Sequence, residues 1–198
     1  MSPTKEPFSI TASPSTDIWR KPPTTDAFNA ATNMASAIPL TSFFSSKITF
    51  SLPCKYRYDQ GGLLLHLTKA GSKDRWLKTG VEFYNDKPFV STVGCDNFAD
   101  WSIYPTGLDP SEDVEVTVEA RREEDENGKS LWVYWIKGEE RIPLREVAWF
   151  FADEDWHIAV GAMACRPAKA EATNGESLEV KFWDFELKQN RVSDFCKR

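Results

Sequence analysis

Two stretches of the chain alternate with period two, and that alternation constrains the fold more than any other feature. In residues 76–84, Leu77, Thr79, Val81 and Phe83 point one way, whereas Trp76, Lys78, Glu82 and Tyr84 point the other, around Gly80. In residues 114–121, Val114, Val116, Val118 and Ala120 alternate with Glu115, Thr117, Glu119 and Arg121. A two-residue repeat buries one face of a sheet, whereas a helix would distribute these side chains around its circumference. Short apolar runs bounded by turns predict further strands, giving ten in all near 46–52, 61–68, 75–84, 88–94, 101–104, 113–122, 130–137, 142–149, 156–164 and 178–188. Asn85-Asp86-Lys87-Pro88 predicts a tight hairpin, and the acidic run 123–129 predicts another, with Asn127-Gly128 tolerating positive φ. With no βαβ rhythm and no internal repeat, the pattern predicts an all-β antiparallel sandwich.

The first part of the chain reads differently. Residues 1–16 are rich in Pro, Ser and Thr, and 21–26 continue as loop, so 1–26 are expected to form an extended arm packed on a single domain of 27–198. The Ala-rich stretch 27–37 predicts a turn of helix. At 198 residues, with eight Trp and thirteen Phe, the chain can bury a substantial core. A formal charge of −6 and dispersed basic residues exclude nucleic acid or an anionic membrane as the main partner, since both demand a basic footprint. Cys54, Cys95, Cys165 and Cys196 show no C-x-x-C pairing and no His at ligand spacing, so no metal site is expected. The sequence start carries no apolar secretory run, which leads to the expectation of a cytoplasmic protein with reduced thiols.

Function is sought on the outward face of residues 76–84. Two aromatics, a cation and a carboxylate suit a concave surface that stacks a ring and hydrogen-bonds its substituents. Trp76 and Tyr84 bracket Lys78 and Glu82 there, and an indole at Trp101 is able to stack on a sugar or to seal the core. Asp59 and Gln60 precede an apolar strand, where they reach into the groove or, in the structural alternative, form a turn in which Asp59 caps its own backbone. His66, among leucines, reads as a core or supporting histidine, while His157 is the better candidate for the groove. No nucleophile elbow, activated thiol, phosphate-binding glycine pattern or cofactor motif is present.

The segments Tyr58-Asp59-Gln60-Gly61-Gly62-Leu63, Trp76-Leu77-Lys78-Thr79-Gly80-Val81-Glu82, Ser91-Thr92-Val93 and Asp100-Trp101-Ser102 together resemble the DUF1349 family, which includes the fungal "regulation of enolase" proteins. Asp17-Ile18-Trp19-Arg20-Lys21 fits its early motif. Val160-Gly161-Ala162-Met163-Ala164-Cys165-Arg166-Pro167 and the 180–185 stretch fit its late ones. The resemblance implies a concanavalin A-like jelly roll of two curved antiparallel sheets and a link to carbon metabolism, and it adds Ser91 to the groove residues. Retaining glucanases on that fold share an E-x-D-x-x-E strand, which this chain lacks. The expected function is therefore a non-catalytic, lectin-like protein without cofactor, binding a carbohydrate or related metabolite through Asp59, Gln60, Trp76, Lys78, Glu82, Tyr84, Ser91 and Trp101. Two alternatives stand beside it. One is a small enzyme using acid–base chemistry on a sugar or polyketide-like ligand, with Glu82 and His157 or Asp59; the other is an adaptor with a protein partner.

Overall fold

A computed structural model describes residues 6–190. In chain order the strands are β1 (Phe8–Ala12), β2 (Ile18–Lys21), β3 (Thr25–Phe28), β4 (Ala31–Met34), β5 (Ile38–Pro39), β6 (Phe43–Leu52), β7 (Gln60–Thr68) and β8 (Arg75–Tyr84). They continue as β9 (Lys87–Cys95), β10 (Ala99–Pro105), β11 (Val114–Asp125), β12 (Gly128–Lys137), β13 (Glu140–Val147), β14 (His157–Cys165) and β15 (Leu178–Gln189). A one-turn helix α1 (Ala170–Thr173) precedes β15. Each of the ten strands predicted from alternation is present, with ends displaced by three residues or fewer.

Two antiparallel sheets face each other. One has the order β1-β15-β6-β11-β12-β13, and the other β10-β9-β8-β7-β14-β4 with β5 also on β14. The alternation of β8 accounts for the sandwich: Leu77, Val81 and Phe83 join Phe50, Val116, Val118, Leu131 and Phe182 in the core between the sheets. Fully burying a side chain of this kind stabilises the fold by about 1.5–3 kcal/mol.

The N-terminal region departs from expectation. β1 is a strand of the first sheet, paired with β15 from Phe8↔Phe182 to Ala12↔Leu178. The expected division after residue 26 falls inside β3. Residues 27–37 contain no helix; they finish β3 and supply β4. Thr32, Asn29 and Asn33 weaken helix formation there, and a sheet edge competes for the backbone. That edge is available because Gly161 lacks a side chain: a Cβ at this position would meet Asn33 O at 2.1 Å. Residues 1–5 of the expected arm, and Cys196, lie outside the described residues.

β2 and β3 pair only with each other and lie across the outer face of the second sheet. Ile18, fully buried, packs there with Leu64, Trp76, Val93, Cys95, Met163 and Cys165 in a second apolar cluster. The hairpin thus closes one half of that face and leaves the other half open.

Candidate functional site

The open half begins with the register of β7 on β8, which sets Gln60 opposite Glu82, Gly62 opposite Gly80 and Leu64 opposite Lys78. A Cβ at Gly80 would meet Gly61 O at 2.1 Å, so these strands approach too closely for a side chain, and the floor between Lys78 and Glu82 stays open. Asp17, just before β2, and Trp19 and Lys21 on β2 supply a second wall. Tyr58, Trp101 and Pro167 complete a cavity of about 560 Å³, within the size range of small-ligand sites.

Its floor is charged, and Gln60, Lys78 and Glu82 on it are buried. Lys78 is buried, and its Nζ donates to Gln60 Oε1 at 2.7 Å and to Asp17 Oδ1 at 3.2 Å. Asp17 Oδ1 also accepts from the Ile18 N–H at 2.7 Å and from Gln60 Nε2 at 3.5 Å. Two of the three protons of Lys78 are thereby engaged. Glu82 is only 6 % exposed, and its Oε2 has no hydrogen-bond partner. Trp101 Nε1 is likewise buried and without one. Burial pushes the Glu82 carboxyl up; Lys78 opposes the shift and Asp17 adds to it, while Ser91 and Trp101 lie near enough to favour the charge without completing a hydrogen bond to Oε2. A buried polar atom left unpaired is costly in a folded protein, and here two of them, an acceptor and a donor, belong to residues that line one cavity.

Aromatic rings form the remaining wall. Tyr58 and Tyr84 stack at 5.7 Å between centroids, and Trp101 meets Tyr84 edge-on at 5.3 Å. Arg57 lies over both tyrosines and donates to Tyr58 Oη at 2.8 Å. Tyr58 has a φ of 69°, a left-handed conformation that costs a non-glycine residue on the order of 1 kcal/mol or more. Two features hold it: its N–H donates to Phe83 O at 2.6 Å, and the next residue is locked. Asp59, with no exposure, receives both Nε and Nη2 of Arg166 at 2.9 Å and the Tyr56 N–H at 2.9 Å.

The hairpin is clasped in a similar way. Arg20, 3 % exposed, donates from Nε to Asp26 Oδ1 and from Nη2 to Asp74 Oδ1, both at 2.9 Å, and from Nη1 to Asp74 O at 3.0 Å. His66 Nε2 lies 2.8 Å from Asp74 Oδ2. Burial alone would push the Asp74 carboxyl up, but hydrogen bonds from His66 and Arg20 outweigh it and hold Asp74 below the usual carboxylate range.

Of the residues expected to form the site, the structure brings Gln60, Lys78, Glu82 and Trp101 to the cavity. Tyr84 stands behind Tyr58 and Trp101, and Ser91 is buried on β9 opposite Gly80. Three expectations require correction. Trp76 is on the anticipated face but fully buried beneath the hairpin, packed with Ile18 and Cys95. Asp59 turns away from the cavity because Arg166 claims both its oxygens. His157 is exposed at the far end of β14, paired with Thr68 and Pro39, whereas Gln60 at the cavity pairs with Cys165 at the other end. Sequence reasoning missed Asp17, Trp19, Lys21, Tyr58 and Pro167 as cavity residues. The first three alternate within Asp17-Ile18-Trp19-Arg20-Lys21 as acid, aromatic and base, a period-two signal like that of β8. Among the described residues, no group of three or more His, Cys, Asp or Glu side chains converges to hold a metal.

Comparison with known proteins places this geometry in a family. The "Uncharacterized protein AN7484" of Emericella nidulans is 44% identical over 176 residues, covering 88% of this chain and 82% of that protein. A functionally unknown protein from Saccharomyces cerevisiae shares the fold with a TM-score of 0.66 at 20% identity, over 96% of this chain and 95% of the other. A mutant of the alginate lyase Aly36B, in complex with an alginate tetrasaccharide, is similar in fold with a TM-score of 0.54 at 7% identity, over 84% of this chain and 76% of the other. The jelly roll is thus one shared with glycan-active proteins. The family model for DUF1349, described as a protein of unknown function, matches residues 1–190, and the chain belongs to that family.

Proposed function

We propose that the protein binds a small saccharide or sugar-derived metabolite in the cavity between the hairpin and the second sheet. The observation that carries this reading is the pair of buried, unpartnered atoms Glu82 Oε2 and Trp101 Nε1, both in residues that line one cavity. Adjacent polar groups of a polyol satisfy both, one donating to the carboxylate and the next accepting from the indole. Trp19 and Trp101 line the cavity with apolar surface for a sugar ring, and Lys78 adds a buried ammonium to its floor. A cytoplasmic setting and a link to carbon metabolism belong to the same proposal; the free thiols of Cys54, Cys95 and Cys165 fit the first.

A second reading is favoured by one observation: Asp17 and Glu82 are two carboxyl groups on one cavity, the minimum for acid–base chemistry on a glycoside. Binding is preferred because Asp17 Oδ1 already accepts from three donors, among them the Lys78 ammonium whose charge also acts on Glu82. The test is a tryptophan-fluorescence titration with a panel of neutral, acidic and basic mono- and disaccharides. Saturable binding that weakens about tenfold or more in a folded Lys78→Met variant supports the reading. Absence of saturable binding across the panel overturns it, and release of reducing ends from a bound disaccharide transfers the assignment to the enzyme.

A further inference from the structure

Glu82 and Asp17 put two carboxyl groups on the cavity, yet a single buried ammonium, that of Lys78, faces them. The Lys78 ammonium donates to Gln60 and Asp17, which leaves Glu82 Oε2 bare. Lys21 also borders the cavity, but from an exposed position where water and salt screen its charge. The residue that carries the vacant oxygen shares the cavity with Trp19, Trp101 and Tyr58, the last already covered by the Arg57 guanidinium. A buried carboxylate on a cavity wall suits a cation on an otherwise hydroxylated ligand, because it takes a charge-assisted hydrogen bond.

We propose that the preferred ligand is an amino sugar, whose protonated amine donates to Glu82 Oε2 while a neighbouring hydroxyl oxygen accepts from Trp101 Nε1. This deepens the saccharide-binding reading and rests on it. A vicinal amino alcohol presents a donor and an acceptor on adjacent carbons, which matches Glu82 Oε2 and Trp101 Nε1, two neighbouring groups close enough for the indole to favour the carboxylate charge. The titratable and charged groups around Glu82 are Lys78 and Tyr84 on its own strand, Asp17 and Lys21 from the hairpin side, Arg57 and Tyr58 from the loop before β7, and Cys165 on β14. Burial and Asp17 raise the Glu82 carboxyl, so its charge is lost at a higher pH than for a free glutamate. An ammonium ligand opposes that loss, and protonation of Glu82 opposes the ligand.

The experiment is a set of fluorescence titrations at pH 6 and constant ionic strength with glucosamine and its disaccharide, and with glucose, N-acetylglucosamine and glucuronate as controls. Glucosamine is expected to bind roughly tenfold more tightly than the neutral sugars, the gain of a charged over a neutral hydrogen bond, with glucuronate weakest. In Glu82→Gln, which keeps the shape and removes the charge, that preference is expected to vanish. Should this variant fail to fold, the unmodified protein gives the same answer: lowering pH until the Glu82 carboxyl is protonated weakens glucosamine binding and leaves N-acetylglucosamine binding unchanged. Equal or tighter binding of the neutral or acidic sugars overturns the amino-sugar assignment and leaves saccharide binding standing. Failure of every sugar to bind overturns both.

Discussion

Two ends of one sheet face treat their buried polar groups in opposite ways. At the closed end, Arg20 has a partner on each side-chain nitrogen: Asp26 on Nε, the Asp74 carbonyl on Nη1 and the Asp74 carboxylate on Nη2. Behind the cavity, Asp59 and Arg166 saturate each other in a bidentate pair with no exposure to water. At the open end, Glu82 is almost as deeply buried yet keeps one oxygen bare, with Trp101 Nε1 bare nearby. Satisfied buried charges serve the fold; unsatisfied ones beside a cavity serve what enters it.

The largest effect should come from breaking the saturated pair. Asp59→Ala leaves the Arg166 guanidinium buried and uncompensated, and should cost about 3–5 kcal/mol in denaturant unfolding. A loss under about 1 kcal/mol would mean that this pair does not hold the loop carrying Tyr58. The two tryptophans on the sheet face sharpen the contrast. Trp76→Ala, beneath the hairpin, should lose about 3–5 kcal/mol, whereas Trp101→Ala, half-buried at the cavity, should lose distinctly less stability and more saccharide affinity. Equal stability losses would erase the distinction between the two ends.

The alternation in β8 reveals which side chains share a face and nothing about what covers that face. Hence Trp76, Lys78 and Glu82 were legible as neighbours, while the sealing of Trp76 depended on Ile18, some 58 residues earlier in the chain. Asp59 misled for a related reason: its partner Arg166 is 107 positions away, and a short-range turn explained it just as well. Asp17, Trp19 and Lys21 carried a readable alternation, but four-residue strands give too short a signal against a background of Pro and Thr. Nine of the ten strands from 43 to 189 were legible because they bury side chains in the core, and β10, which buries none, was legible from its short apolar run; β3 and β4 were not, being exposed or half-buried.

A smaller effect concerns acid. The Asp74 carboxyl sits below its ordinary range, so the clasp around Arg20 is fully present above the unfolded value of about 3.9 and is lost as pH falls through the lower folded value. The stability difference between the unmodified protein and Asp74→Asn should therefore hold steady from pH 7 to pH 5 and shrink below about pH 4. A difference that grows with acidification would contradict the clasp.

The smallest effect bears most directly on the central claim. Glu82 has a raised carboxyl, so its ionised form opposes folding above its folded pKa, and the cost is relieved as pH falls through that value. Glu82→Gln removes the charge and, on this account, no hydrogen bond made by Oε2 within the fold. Its thermal midpoint at pH 7 should match or slightly exceed that of the unmodified protein. A clear drop in midpoint would show that Glu82 completes a buried network of the fold, and the cavity would lose the group on which its ligand assignment rests.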